Sequence, residues 1–87
     1  MEVYVLMAHH HLVEANWDSN EPGLPQGDYI CEIFRTPEKA EQELERRIAG
    51  LCKSQGVRRD GNIVRRKFTD GIDKVIAYYI QRSYMND

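Results

Sequence analysis

The run Val3-Tyr4-Val5-Leu6-Met7-Ala8 constrains the fold more than any other stretch of this chain, because it is β-branched, aromatic or aliphatic at odd and even positions alike. Side chains alternate between the two faces of a strand, so a run that is apolar throughout needs shelter on both. The segment is therefore expected inside a sheet rather than at its rim, continuing through His9-His10-His11 to Leu12. Residues 13–27 collect Asn16, Asp18, Ser19, Asn20, Pro22, Gly23, Pro25 and Gly27, which is turn chemistry, and the whole stretch reads as a long loop. Trp17 within it is expected either to anchor the loop on the core or to serve as a contact residue.

Tyr29-Ile30-Cys31-Glu32-Ile33-Phe34 reads as a second strand, with Glu32 marking a solvent-facing or edge position. A helix follows. Thr36 suits the N-cap, Pro37 the first helical position, and Glu38 the positive end of the helix dipole. Ala40, Leu44, Ile48, Leu51 and Cys52 recur at intervals of three and four and form one apolar stripe, with Glu41, Glu43, Glu45, Arg46 and Arg47 on the other faces. Glu43 and Arg47 have the order of an i,i+4 ion pair, and Gly56 is the natural stop. Two further strands, centred on residues 63–68 and 75–80, are joined through Asp70-Gly71, a strong hairpin signal.

These pieces predict an α+β fold: a four-stranded, mainly antiparallel sheet with one amphipathic helix on one face, in ββαββ order. A length of 87 residues supports one core, so residues 1–87 form a single domain. No apolar run reaches the roughly 18 residues of a membrane span, and the N-terminus lacks the basic start of a signal peptide. A cytoplasmic protein without membrane contact is expected. Cys31 and Cys52 lack metal-knuckle spacing and are expected reduced and buried.

The Val-Tyr-Val-Leu strand, the polar loop, a strand ending in an aromatic residue, and Thr36-Pro37-Glu38-Lys39-Ala40-Glu41 opening an amphipathic helix resemble a loose group of small bacterial and bacteriophage proteins of unknown function. The likeness covers residues 3–8 and 29–49. It implies a compact α+β domain from a phage or mobile element, and it brings no catalytic residue.

Charge is unevenly distributed. Residues 1–45 carry ten acids and two bases (−8), whereas residues 46–87 carry four acids and ten bases (+6). A sheet interleaving strands from both halves would mix these signs, and one that keeps them apart would preserve a dipole able to steer association. Lys53, Arg58, Arg59, Arg65, Arg66 and Lys67 form a basic cluster, with Arg58 and Arg59 expected on a loop, and they are the candidates for nucleic-acid contact. Alternation sets Arg65 and Lys67 on one strand face and Arg66 on the other, and no RNP, KH, zinc-finger or helix-turn-helix signature accompanies them. Edge-strand charges that discourage aggregation have the same appearance.

His9 and His11 share a strand face, a spacing from which two imidazoles can hold one metal ion. A third ligand is needed, and Glu14, Asp18 and Glu32 are the nearby carboxylates. Nothing selects among them, so no metal and no other cofactor is assigned. GxSxG, SxxK and phosphate-cradling glycine loops are absent, so no catalytic residue is named and no enzyme is expected.

Tyr4, Leu6, Tyr78, Tyr79 and Ile80 provide more apolar strand surface than one helix shields. The expected remedy is the 13–27 loop, a second copy of the chain, or another protein. Tyr4, Trp17, Tyr78 and Tyr79 are the candidate partner-binding residues. The leading reading is a non-enzymatic protein-binding module, an accessory or inhibitor protein of phage type. Nucleic-acid contact through residues 53–67 is the alternative, and metal binding by His9–His11 comes third.

Overall fold

The computed structural model describes residues 1–14 and 24–86. Trp17 and the centre of the expected 13–27 loop lie outside the described residues. The elements are β1 (Glu2–Glu14), β2 (Leu24–Phe34), α1 (Pro37–Leu51), β3 (Arg58–Asp60), β4 (Ile63–Thr69) and β5 (Ile72–Tyr84). They form one helix and a five-stranded antiparallel sheet of order β2-β1-β5-β4-β3. The α+β class agrees with the sequence reading, but the strand count and the ββαββ order do not.

The additional strand is β3. Arg58 and Arg59 belong to it rather than to a loop, paired with Arg65 and Val64. Its three residues are exposed and charged, so no apolar alternation reveals it. The available signal was Asp60-Gly61, where Gly61 takes φ 60° and turns the chain straight into β4. Strand β2 likewise begins earlier than expected, at Leu24. Pro25 and Gly27 read as loop residues, yet a sheet edge accepts a residue that cannot donate to the ladder.

Strands β1 and β5 pair over their full length, from Glu2 opposite Tyr84 to Glu14 opposite Ile72. β1 is an interior strand, as its two apolar faces require. Directly opposed residues of an antiparallel pair project to the same side. Leu6, Ala8 and His10 of β1 thus share a face with Ile80, Tyr78 and Ile76 of β5 and with Val64 of β4. Helix α1 lies on this side, where Leu44 and Ile48 join Leu6 and Val64 in the core, flanked by Cys31, Phe34, Leu51, Val57, Tyr78 and Ile80.

Thr36 caps α1 by accepting from the Lys39 backbone N–H at 3.4 Å, with Pro37 in the first turn. Because that bond is long, Thr36→Ala is expected to lower the unfolding free energy by only about 0.5–1 kcal/mol, measured by urea denaturation. At the other end Cys52, not Gly56, closes the helix, donating its N–H to the Ile48 carbonyl at 3.0 Å. Gly56 (φ 78°) turns the chain beyond the helix instead. Cys52 consequently leaves the apolar stripe and is exposed, while Cys31 is half-buried. Both depart from the buried state expected of them.

A 15-residue helix is about 22 Å long, whereas a 13-residue strand reaches about 43 Å. Helix α1 therefore covers only half the length of the sheet. Beyond it, on the face turned away from the helix, His11, Val13, Arg65 and Val75 are nevertheless buried. Of the residues that suggested an apolar surplus, Leu6 is in the helix-side core and Tyr78 and Ile80 pack against it, so that Tyr79 is the one that lies on the face turned away from the helix.

Candidate interaction surface

The site grows from β2, an edge strand whose outer side no described strand pairs. Its register against β1 slips between Leu6, opposite Glu32, and Met7, opposite Ile30, leaving Cys31 as an extra residue, a β-bulge. Before the bulge Asp28 and Ile30 face away from the helix; after it Ile33 does so, opposite Val5. Without that extra residue Ile30 and Ile33 would lie on opposite faces. With it, Val5, Met7, Ile30, Ile33 and Tyr79 form one apolar row across β2, β1 and β5. Ile30 is 66% exposed, Ile33 49% and Tyr79 37%.

The candidate contact residues named from the sequence divide differently. Tyr79 belongs to this row. Tyr4 and Tyr78 lie on the helix side, where the Tyr4 hydroxyl donates to Glu2 Oε1 at 2.5 Å and Tyr78 packs against the core. Burial and the nearby Cys31 push the Tyr78 phenol above its ordinary pKa. Ile30 and Ile33 were not singled out, because Glu32 between them suggested a simple alternation that the bulge interrupts.

The histidines line the same part of the sheet. His9 and His11 do share a face, with ring centroids 5.4 Å apart. His9 Nδ1 is 2.5 Å from Asp28 Oδ1, and His11 is buried. Glu14 and Glu32 fall on the helix-side face by register, opposite Ile72 and Leu6, so neither joins these imidazoles. Asp18 lies outside the described residues. Among the described residues no group of three His, Cys, Asp or Glu side chains is arranged to hold a metal ion.

His10 projects to the helix side beyond the end of α1, edge-on to the Tyr29 ring at 4.9 Å. Burial, reinforced by Lys74, His9 and Arg66, lowers its pKa from the ordinary 6.5. The folded state then takes up the proton less readily than the unfolded chain, so this contribution to stability is present above about pH 6.5 and is lost as pH falls below it. Between pH 7.5 and 5, the urea midpoint is expected to fall further for the wild type than for His10→Asn.

The sheet does not bring the basic cluster together. Arg65 is 3% exposed, donating to Asp73 Oδ2 at 2.8 Å and to the Glu14 carbonyl at 3.0 Å, so that it ties β4 to β5 and β1. Arg59 pairs with Glu45 of the helix, whose carboxyl it holds below the usual range, and Lys67 lies 3.0 Å from Asp70. Lys53, Arg58 and Arg66 are exposed. The strand order nevertheless keeps the two halves of the chain apart, with β2 and β1 on one side and β5, β4 and β3 on the other. Charge therefore runs across the sheet, from Asp28 and Glu32 on β2 to the arginines of β3 and β4.

Two shallow depressions flank the helix, each about 350–360 Å³. One is lined by Glu41, Leu44, Glu45, Asn62, Tyr79 and Ile80, the other by Glu32, Phe34, Lys39, Gln42, Glu43 and Arg46. Neither lining includes a serine, cysteine or histidine. No helix among the described residues is long and apolar enough to cross a membrane. No protein-family model matches the chain, and neither a curated protein nor a solved structure does so.

Proposed function

We propose that this chain is a small non-enzymatic protein-binding module, of the phage or mobile-element accessory or inhibitor kind, working through the face of β2, β1 and β5 turned away from the helix. The observation that carries this reading is the row Val5, Met7, Ile30, Ile33 and Tyr79, with Ile30 and Ile33 about half or more exposed beside a strand edge that no described strand pairs. Large apolar side chains gathered at a surface favour a partner that removes them from water, at about 25 cal/mol per Å². The test compares proteins of the native host retained on immobilised wild type with those retained on Tyr79→Glu. A specific protein lost on the variant supports the reading. Identical retention, or none, overturns it.

A second reading rests on a different observation. Arg66 and Lys74 are directly opposed across β4 and β5, and Lys74 lies 5.9 Å from the centre of the Phe68 ring. Like charges opposed across strands destabilise a sheet, and bases beside an exposed aromatic ring suit a nucleic-acid strand. This reading requires RNA or DNA affinity that falls as salt rises, with a reduced salt slope in Arg66→Gln. Absence of affinity at low salt removes it.

A further inference from the structure

We infer that the occupant of the β2 edge is a second copy of this chain, its β2 paired antiparallel with the first to make one continuous ten-stranded sheet. The inference rests on the protein-binding reading and places a second copy at the edge of the same surface, leaving the face around Tyr79 for another protein.

The edges of the sheet are unequal. β3 closes one side with three exposed, charged residues, a common protection against strand addition. The C-terminal half of β5 also runs past the start of β4, which begins opposite Ala77, but there the polar Gln81, Arg82 and Ser83 separate Tyr79 and Ile80 from the exposed Tyr84. β2 offers an eleven-residue edge on which Leu24, Tyr29, Ile30 and Ile33 are each about half exposed or more.

That edge is complementary to itself in both face and charge in one register. A two-fold axis normal to the sheet keeps both helices on the same side, so paired residues must project to the same face. Placing the axis between Cys31 and Glu32 sets Ile30 against Ile33 of the second copy, both on the open face. It also sets Tyr29 against Phe34, both on the helix side, and Asp28 against the oppositely charged Arg35.

The bulge makes this match. Centred on Cys31 itself, the pairing would oppose helix-side Tyr29 to open-side Ile33. Moved to lie between Ile30 and Cys31, it would oppose Ile30 to the helix-side bulge residue. A second register shift, between His10 and His11, leaves Gln26 as another extra residue, so a pairing centred on Tyr29 also keeps the faces matched from Leu24 to Phe34, but it sets the charged Asp28 against Ile30 and leaves Arg35 without an acidic partner across the axis. A bulge usually disfavours edge pairing. Here one bulge in each strand, set symmetrically about the axis, restores the alternation for both.

The experiment is sedimentation equilibrium of the full chain, the wild type against I30K and I33E, with circular dichroism as a check on folding. Both positions are exposed, so the fold should persist. A wild-type dimer is expected, with self-association weakened roughly tenfold or more in each variant. Mixing I30K with I33E is expected to restore the dimer, since this register opposes the new charges and keeps Ile33 against Ile30 at the other contact.

A wild type that stays monomeric at several hundred micromolar overturns the inference. So does a dimer indifferent to both substitutions, or one that the mixture fails to restore. In each of these cases, a host protein lost on Tyr79→Glu leaves the protein-binding reading standing, whereas unchanged retention removes that reading as well.

Discussion

Ile48→Ala is expected to lower the unfolding free energy by about 3 kcal/mol, within the 2–5 kcal/mol typical of truncating a buried aliphatic side chain. Ile48 is fully buried where α1 meets Leu6 of β1 and Val64 of β4. The lost methyl and methylene groups forfeit their transfer free energy, and strands pinned by their ladders collapse little into the space. A domain of this length has a total stability of roughly 5–10 kcal/mol, so the loss is a large fraction of it. The corresponding fall in melting temperature is about 15 °C, measurable by calorimetry. The neighbouring but exposed Ala49→Ser should change it by less than about 3 °C, within the range of ordinary surface substitutions. A small effect at Ile48 would mean that α1 is not held against the sheet as described.

Asp73→Ala is expected to be about as damaging, at roughly 3 kcal/mol, for an electrostatic reason. Arg65 is almost completely buried and its Nε lies 2.8 Å from Asp73 Oδ2. Removing the carboxylate leaves a desolvated guanidinium without that countercharge, which typically costs 3–5 kcal/mol, whereas removing both ions together costs far less. Arg65→Met combined with Asp73→Leu should therefore be more stable than Asp73→Ala alone. Chemical denaturation of the two variants and the wild type decides the matter. If the single variant proved as stable as the wild type, Arg65 would have to be a solvated side chain of the kind the nucleic-acid reading first supposed.

Arg65 also shows where the sequence stopped being informative. In a list of bases it is indistinguishable from Arg66, since both follow Val64 in a polar run. Register alone separates them, putting Arg65 opposite Val75 on one face and Arg66 opposite Lys74 on the other. The helix was legible because its signals are local: Thr36, Pro37 and Glu38 define the start, and the Ala40, Leu44 and Ile48 spacing defines the buried side. Its end was less so, because Gly56 is a strong stop signal that here serves a later turn. Strand β3 was missed because a three-residue charged strand carries no periodicity, and the opening of β2 because Pro25 and Gly27 are turn residues wherever the chain is not already at a sheet edge.

The candidate site was half visible. Glu32 marked a solvent-facing or edge position on β2, and the surplus of apolar strand positions pointed to a surface in need of cover, although Leu6, Tyr78 and Ile80 among them belong to the helix-side core. The bulge at Cys31 was not readable, because an extra residue in one strand is defined only by the strand beside it.

What the sequence by itself determined is therefore whatever depends on neighbours a few residues away: the helix and its cap, the interior character of β1, the Asp70-Gly71 hairpin and the α+β class. Tertiary structure alone decided the strand order that separates acidic from basic residues, the burial of Arg65, and the face to which Ile30 and Ile33 both belong. The physical reason is that a strand's side chains have a period of two, so one inserted residue reverses the face of everything after it. Pairing between distant segments, and nothing local, determines where that insertion falls.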